Sequence, residues 1–378
     1  MAFIRKFTKR FFIISNLVVV VLFLITCANA YLHAGRWWVI SLLSLFFPLF
    51  LLLVIGFLIF WLFFHSRRLS LISAVTLLLG WQNIHAFLAV DIHKKFIQEK
   101  PANAFRVLTW NVHSWDEFIT RKPGGSGHRL KMMEFIAEQN ADLLCFQEFF
   151  ESNNFRGLPG NIEYISRQLH FPYYHFSHDY NRRDGTYSSG TAIFSKYPIT
   201  DSIQIKFNNP NARKYVESLL AADINVNGKT IRVFTTHLQS VLFHGKDFRN
   251  VEIIKNVDDS VLEASRSIIK KLKIAYSLRR DQADLVREQL DKSPYPVIIC
   301  GDFNDVPNSY VYFHIRGDRQ DAFIQKGFGI GRTYVHLSPT LRIDYIMADK
   351  QFHVLQCSKF PLPYSDHHPV VADFLMPK

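Results

Sequence analysis

The chain has 378 residues, with 44 Lys and Arg against 32 Asp and Glu, and 48% of it is hydrophobic. That length leaves room for roughly two domains, and with only four cysteines it excludes a small disulfide-stapled scaffold. The net charge of +12 does not describe a basic nucleic-acid-binding domain, because residues 1–100 hold ten Lys/Arg and two Asp/Glu, leaving only +4 for the remainder.

Composition divides the chain near residue 95. No Asp, Glu, Lys or Arg falls between Arg10 and His33, between Arg36 and His65, or from Leu69 to Val90. Each run is about 20 residues or more, enough to cross a hydrocarbon core as a helix. The sequence therefore predicts a membrane anchor over 1–95 with three spans, 11–32, 37–64 and 69–90. Gln82, Asn83 and His85 weaken the third, whose alternative is a helix lying at the interface. Arg5, Lys6, Lys9 and Arg10 before an apolar run that ends in Ala28-Asn29-Ala30 also fit a signal peptide. A basic start held inside, with Arg67-Arg68 returning inside, puts residues 96–378 outside the cytoplasm, on the periplasmic or extracellular side. Lys94, Lys95 and Lys100 argue the other way.

From Phe105 the pattern becomes short β-rich runs that end in polar residues. RVLTWNVHSW puts Asn111 after Val107 to Trp110, and DLLCFQEFF puts Gln147 and Glu148 after Leu143 to Phe146. Between them His128 to Gln139 has helical spacing, with Leu130, Met133, Phe135 and Ile136 largely on one side. LLAADINVNGKTIRVFTTHLQS reads as a hairpin turned at Asn227-Gly228, with a second strand ending at His237. A long helix follows, carrying Arg266, Lys270, Lys271, Lys273, Arg279 and Arg280; a solvated face and a surface that meets anionic lipid or another polyanion both fit it. PVIICGDFNDVPNS ends a buried run in Gly301, Asp302 and Asn304, TLRIDYIMAD carries Asp344 within a strand, and YSDHHPVVADF closes the series with Asp366, His367 and His368. Cys145 and Cys300 lie inside apolar runs, where a thiol packs as a small hydrophobe. Hairpins mixed with helices predict an α/β or α+β sandwich around mixed sheets and disfavour a doubly wound parallel fold.

The strand ends deliver oxygen donors and imidazoles without cysteine. Hard oxygen donors suit Mg²⁺ or Mn²⁺, which bind one or two carboxylates and engage substrate phosphate. Taken singly, each residue has a structural explanation, such as a turn cap for Asp302. Their recurrence at the ends of successive strands does not.

The ordered series WNVH, QEF, THLQS, GDFND, RIDYI and SDHHPV resembles the motifs of the endonuclease/exonuclease/phosphatase superfamily of metal-dependent phosphoesterases, over about residues 105–376. The resemblance implies a four-layered α/β sandwich, two packed mixed β-sheets flanked by helices, preceded here by transmembrane helices. It implies that Glu148 is the main Mg²⁺ ligand, with Mn²⁺ as a substitute, and that Asn111 holds the metal or phosphate. Asp302 would align and deprotonate the attacking water and Asn304 would contact phosphate. His367, oriented by Asp344, would bond a phosphate oxygen, Asp366 would complete the metal region, and His237 would contact phosphate or assist the leaving group. His368 has no family role. No acidic partner for His237 stands out in NRRDGTYSSGTAIFSK, and Arg182, Arg183 and Lys196 are candidate contacts to an anionic substrate. The anchor and the sphingomyelinase-like THLQS favour a membrane-proximal or lipid-like phosphoester over nucleic acid or a small phosphodiester. A membrane-anchored nuclease is the second reading, and a catalytically silent binding module the third.

Overall fold

The computed structural model describes residues 2–32, 35–92, 96–116, 127–152, 160–182, 185–208, 216–241 and 261–377. Lys94, Lys95 and Arg183 lie outside them. The chain divides into two units that interleave in sequence: one is Met1–Phe87 with Ser240–Asp281 and Val306–His314, the other Leu88–Gln239 with Gln282–Asp305 and Ile315–Lys378.

Among the described residues of the first unit, two helices are long and apolar enough to cross a membrane, Lys6–Ala28 and Trp38–Phe63. The third apolar run is bent: Arg67–Leu79 and Trp81–Phe87 meet at 61°, and together they make a third candidate span if the bent pair is one span. Gly80 sits at the break, where a Cβ would run into the Phe23 ring. Of the polar residues that weakened this run, Asn83 is used inside the bundle, where its Nδ2 donates to the Cys27 carbonyl at 3.3 Å, while Gln82 and His85 are exposed. Ser73 Oγ likewise donates to Asn16 Oδ1 at 3.3 Å. An apolar environment makes such pairing obligatory for buried polar groups.

The second unit is built on β1 (Ala89–Val90), β2 (Ala104–Asn111), β3 (Leu143–Ser152), β4 (Tyr173–Phe176), β5 (Tyr180–Asn181), β6 (Tyr187–Ser195), β7 (Ile199–Lys206), β8 (Ser218–Val226), β9 (Lys229–His237), β10 (Val297–Asp302), β11 (Gln320–Asp321), β12 (Phe328–Gly329), β13 (Asp344–Ala348), β14 (His353–Lys359) and β15 (Val370–Leu375). One sheet runs β14-β15-β2-β3-β6-β4, with β5 also on β6; the other runs β11-β13-β10-β9-β8-β7; β1 and β12 pair alone. β2 with β3 and β9 with β10 are parallel, and the other pairs are antiparallel. The expected β8–β9 hairpin forms, with positive φ at both Asn227 and Gly228, the conformation a two-residue turn of matching twist requires.

Strand alternation sends side chains into two cores. Val107, Leu143, Cys145, Leu220, Ile298, Cys300 and Ile346 fill one cluster between the sheets. Leu108, Trp110, Leu144 and Phe146 point the other way, onto Met132, Met133, Phe135 and Ile136 of the helix Arg129–Glu138. Leu130, read as part of that buried face, is exposed, because the buried stripe is centred on Met132 and Ile136 and Leu130 lies about 200° round the helix from Met132. All four cysteines are free and buried. The result is a mixed α/β fold with two mixed sheets flanked by helices.

Candidate active site

Register brings the chemistry together. Asp302 closes β10 opposite His237 on the parallel β9 and opposite Asp344 on the antiparallel β13. Asp344 therefore opens its strand, where the sequence reading put it inside one, and antiparallel pairing carries it to the C-terminal ends of β9 and β10. From the other sheet Asn111 ends β2 opposite Gln147. Gln147 Nε2 donates to Thr109 Oγ1 at 3.2 Å and to Thr235 Oγ1 at 3.0 Å, linking the two sheets beneath the site. Pairing of β3 with β6 slips between Phe146 and Phe149, and Glu148 in that bulge has φ 49°. Bulges of this kind re-aim a side chain at the cost of local strain. The Glu148 side chain is 37% exposed, against 1% for Asp302 and Asp344.

Hydrogen bonds fix the rest. Asn111 Nδ2 donates to Glu148 Oε1 at 3.2 Å and to Asp302 Oδ2 at 3.1 Å. The Asn304 N–H donates to Asp302 Oδ1 at 2.8 Å, and its amide donates to the Leu238 carbonyl at 2.9 Å, so Asn304 shapes the turn that presents Asp302. Gly301 precedes it at φ 142°, packed so that a Cβ would collide with the Thr236 carbonyl oxygen. His367 Nδ1 lies 2.9 and 3.1 Å from the Asp344 oxygens, and its Nε2 lies 3.6 Å from Asp302 Oδ2. Trp110 Nε1 donates to the His367 carbonyl at 2.8 Å, and Ser365 Oγ donates to the Asn111 carbonyl at 2.8 Å, tying the SDHHP turn to the end of β2.

His237 completes the cluster. Its Nε2 is 3.6 Å from Asp302 Oδ2 and 4.0 Å from Glu148 Oε1, while its Nδ1 is 3.5 Å from Glu217 Oε1. Glu217 is thus the acidic partner that the segment before β7 failed to offer. It comes from KYVESLL, immediately before β8, where the only sequence signal was an acid beside an apolar strand. A second residue the sequence missed is Tyr334, bridged to His367 with ring centroids 4.9 Å apart.

The electrostatics follow from buried like charges. Burial raises the Asp302 carboxyl to about 6, with Asp344 adding to the effect and His367 and His237 opposing it. Burial also pushes Glu217 up to about 7. Burial disfavours the imidazolium of His367, yet Asp344 and Asp302 outweigh it and raise the ring to about 10. His237 is held above its ordinary value against burial by Glu217, Asp302 and Glu148. His368 moves the other way, to about 4, through burial and the nearby Lys359 and Arg332.

Asn111, Glu148, His237, Asp302, Asp344 and His367 therefore converge. Asp366 stands beside them, its Oδ1 3.3 Å from His113 Nδ1. Arg182 and Lys196 lie elsewhere, over the rings of Tyr187 and Phe171. A hard divalent cation fits the donor set. Ligand atoms of Asp302, Asp344 and His367 lie within 4.8 Å of one another, but Asp344 is committed to His367. The open carboxylate is Glu148, and the Asn111 amide already fills the electropositive position between Glu148 and Asp302.

Two packed mixed sheets with an acid-and-imidazole cluster at one edge define a class of phosphoester-cleaving α/β sandwiches. A model described as the endonuclease/exonuclease/phosphatase family matches residues 108–367, and the chain belongs to that family, whose members are generally phosphoester hydrolases. Residues 9–87 match a second model, a domain of unknown function. No curated protein matches the chain. Among solved structures, an endonuclease/exonuclease/phosphatase from Beutenbergia cavernae DSM 12333 superposes with a TM-score of 0.50 at 21% identity, over 73% of this chain and 72% of that one. The human Nocturnin catalytic domain with bound sulfate gives 0.48 at 19%, over 72% and 93%. D. rerio TDP2 complexed with single strand DNA product gives 0.48 at 16%, over 72% and 98%.

Proposed function

We propose that this chain is a membrane-anchored phosphoester hydrolase that uses Mg²⁺, with Mn²⁺ as a substitute, on a membrane-proximal or lipid-like phosphoester. Residues 96–378 form the catalytic domain and residues 1–95 the anchor. The observation that carries the reading is Asp302 buried between two imidazoles, His237 and His367, each backed by its own carboxylate. Glu148 would hold the cation, joined by the Asn111 oxygen once that amide turns its Nδ2 away from Glu148 and Asp302, with Asp366 completing its surroundings, and the cation would offset phosphoryl charge. Asp302, oriented by the Asn304 N–H, accepts the proton of the attacking water. A carboxyl poised near 6 is matched to that task at neutral pH. His367 donates a hydrogen bond to a non-bridging oxygen, where charge builds in the transition state. His237, held protonated by Glu217, donates to the leaving oxygen.

The same reading makes the anchor multi-pass, with the catalytic domain on the side opposite the N-terminus. Ser73 bonds Asn16 and Asn83 bonds the Cys27 carbonyl, so the bent third segment climbs alongside the first helix in the same direction. Asn308, four residues after Asn304, donates to the Ser44 carbonyl at 3.2 Å and accepts from Asn29 Nδ2 at 3.5 Å. Asn308, in the Val306–His314 segment of the helical unit, thus sits at the end of the first span opposite the N-terminus. With the basic start inside, this side is outside the cytoplasm.

The test is the full chain in lipid nanodiscs with Mg²⁺, offered a generic phosphate bis-ester, a phospholipid panel and single-stranded and duplex DNA. Asp302→Asn should abolish hydrolysis while leaving the fold intact. A bis-ester that stays uncleaved, or an Asp302→Asn enzyme as active as its parent, would end the reading, and preference for DNA would transfer it to a nuclease.

A further inference from the structure

The helix Val261–Asp291 changes character along its length. Between Ser265 and Arg280 it carries six basic residues and no acid; from Asp281 onward Asp284, Glu288 and Asp291 appear. The change falls where the chain leaves the helical unit, which includes Ser240–Asp281, for the sheet unit. A merely solvated helix has no reason to hold six basic residues and no acid over the whole stretch from Ser265 to Arg280.

Within the basic half, exposure is also patterned. Arg266, Ile269, Lys270, Lys273 and Ile274 are exposed, at i, i+3, i+4, i+7 and i+8, and so share one face. Ile268, Ala275, Tyr276 and Arg279 are buried on the other side. Ile269 and Ile274, 36% and 42% exposed, interrupt a face that solvation alone would leave polar. The helix also has a marker of depth. Lys273 Nζ lies 5.5 Å from the ring centroid of Trp38, the first residue of the second apolar helix. Arg36 and Trp37 beside it are exposed. Aromatic and basic residues at the end of an apolar helix mark the headgroup level of a bilayer.

We infer that Ser265–Arg280 is an interfacial helix whose exposed face, Arg266, Ile269, Lys270, Lys273 and Ile274, lies against the bilayer and binds anionic phospholipid headgroups. The two isoleucines enter the boundary between headgroups and acyl chains, and the three cations reach phosphates at its surface, the arrangement that holds amphipathic helices in the plane of a membrane. Each cation near an anionic surface strengthens association about five-fold. The inference rests on the membrane anchoring proposed above, and adds to it a lipid partner for a helix outside the spans.

The four native cysteines are all buried, so a single environment-sensitive fluorophore can be placed by Ile274→Cys in the full chain in nanodiscs. In phosphatidylcholine discs containing phosphatidylglycerol, its emission should shift to the blue and be quenched by nitroxide carried on the lipid. Both effects should weaken in pure phosphatidylcholine, at high salt, and in the Arg266→Gln, Lys270→Gln, Lys273→Gln triple variant. A label at Leu52→Cys, on the exposed side of the second apolar helix, separates the two claims. If Leu52 is quenched from within the bilayer while Ile274 stays accessible to a water-soluble quencher in both lipids, the interfacial helix is wrong and the anchor stands. If Leu52 is itself water-accessible, the anchor fails and the helix inference fails with it. Protection of Ile274 by an added DNA oligonucleotide but not by phosphatidylglycerol would make the face a nucleic-acid surface and overturn the lipid assignment.

Discussion

Replacing Asp344 by Asn isolates the charge that keeps His367 protonated. The two side chains are 6% and 1% exposed and 2.9 Å apart. The rise of the imidazole from 6.5 to about 10 is worth about 5 kcal/mol at ~1.36 kcal/mol per pKa unit. Burial alone would lower it, so the carboxylates supply the whole rise, Asp344 first among them. An opposite charge at this range moves a pKa by about 1–3. Asparagine keeps an oxygen to accept the Nδ1–H, so ring orientation survives and the charge does not. In the proposed mechanism the protonated ring is the active form, so activity is present below its pKa and is lost as pH rises through it. Asp344→Asn should therefore move the alkaline limb of kcat/KM downward by about 1–3 pH units. A bound cation adds positive charge and lowers the limb in both enzymes, so the quantity to read is the difference between parent and variant at saturating Mg²⁺. The same linkage makes the His367 contribution to stability full below 6.5 and lost as pH rises toward about 10. An alkaline limb that coincides in parent and variant, with activity depressed equally at every pH, would refute an electrostatic role for Asp344.

Glu217→Gln should depress hydrolysis of an alkyl phosphoester by roughly 100-fold and leave a nitrophenyl ester nearly untouched, because only the poor leaving group needs the proton that His237 donates; equal losses on both substrates would remove His237 from that role. Asp373→Asn should cost about 3–5 kcal/mol of stability by chemical denaturation, since it strands a buried guanidinium. Arg106 and Asp373 are fully buried and bonded at 2.6 and 2.8 Å. Replacing both by apolar residues of similar volume should recover most of that loss, and a single variant as stable as its parent would show that the pair holds nothing.

Most of the site was legible because β-strands end where their hydrophobic alternation ends, and each polar residue at such an end was visible in one dimension. Asn111, His237 and Asp302 are of this kind. Glu148 was legible as an acid but not as a strained one: alternation puts Gln147 and Glu148 on opposite faces, and only the slip against β6 explains why Glu148 opens toward the site while Gln147 bridges the sheets. Glu217 was illegible for a different reason. Its partner His237 sits at the far end of a hairpin, so antiparallel pairing, and not proximity in sequence, makes them neighbours. Gly80 shows the converse limit, since hydropathy measured the length of the third run but carried no signal for the bend at Gly80 or for the close approach of Phe23 there.

Charge balance gives the cluster its internal logic. Glu148, Glu217, Asp302 and Asp344 bring four carboxyl groups to two imidazoles, with Asp366 drawn aside by His113. With both rings protonated, the cluster is anionic at neutral pH and repels a phosphoester. Raising Glu217 to about 7 and Asp302 to about 6 is the protein's response to that crowding. On the proposed mechanism a divalent cation would relieve it more completely: it would offset two charges, let Asp302 ionise as the proposed base, and leave an almost neutral surface on which the imidazolium of His367 would meet phosphate. Cation and substrate should therefore bind cooperatively, and titrating Mg²⁺ at fixed bis-ester should lower KM as well as raise kcat. A KM that is independent of Mg²⁺ would mean that the four acids are balanced by something other than the metal.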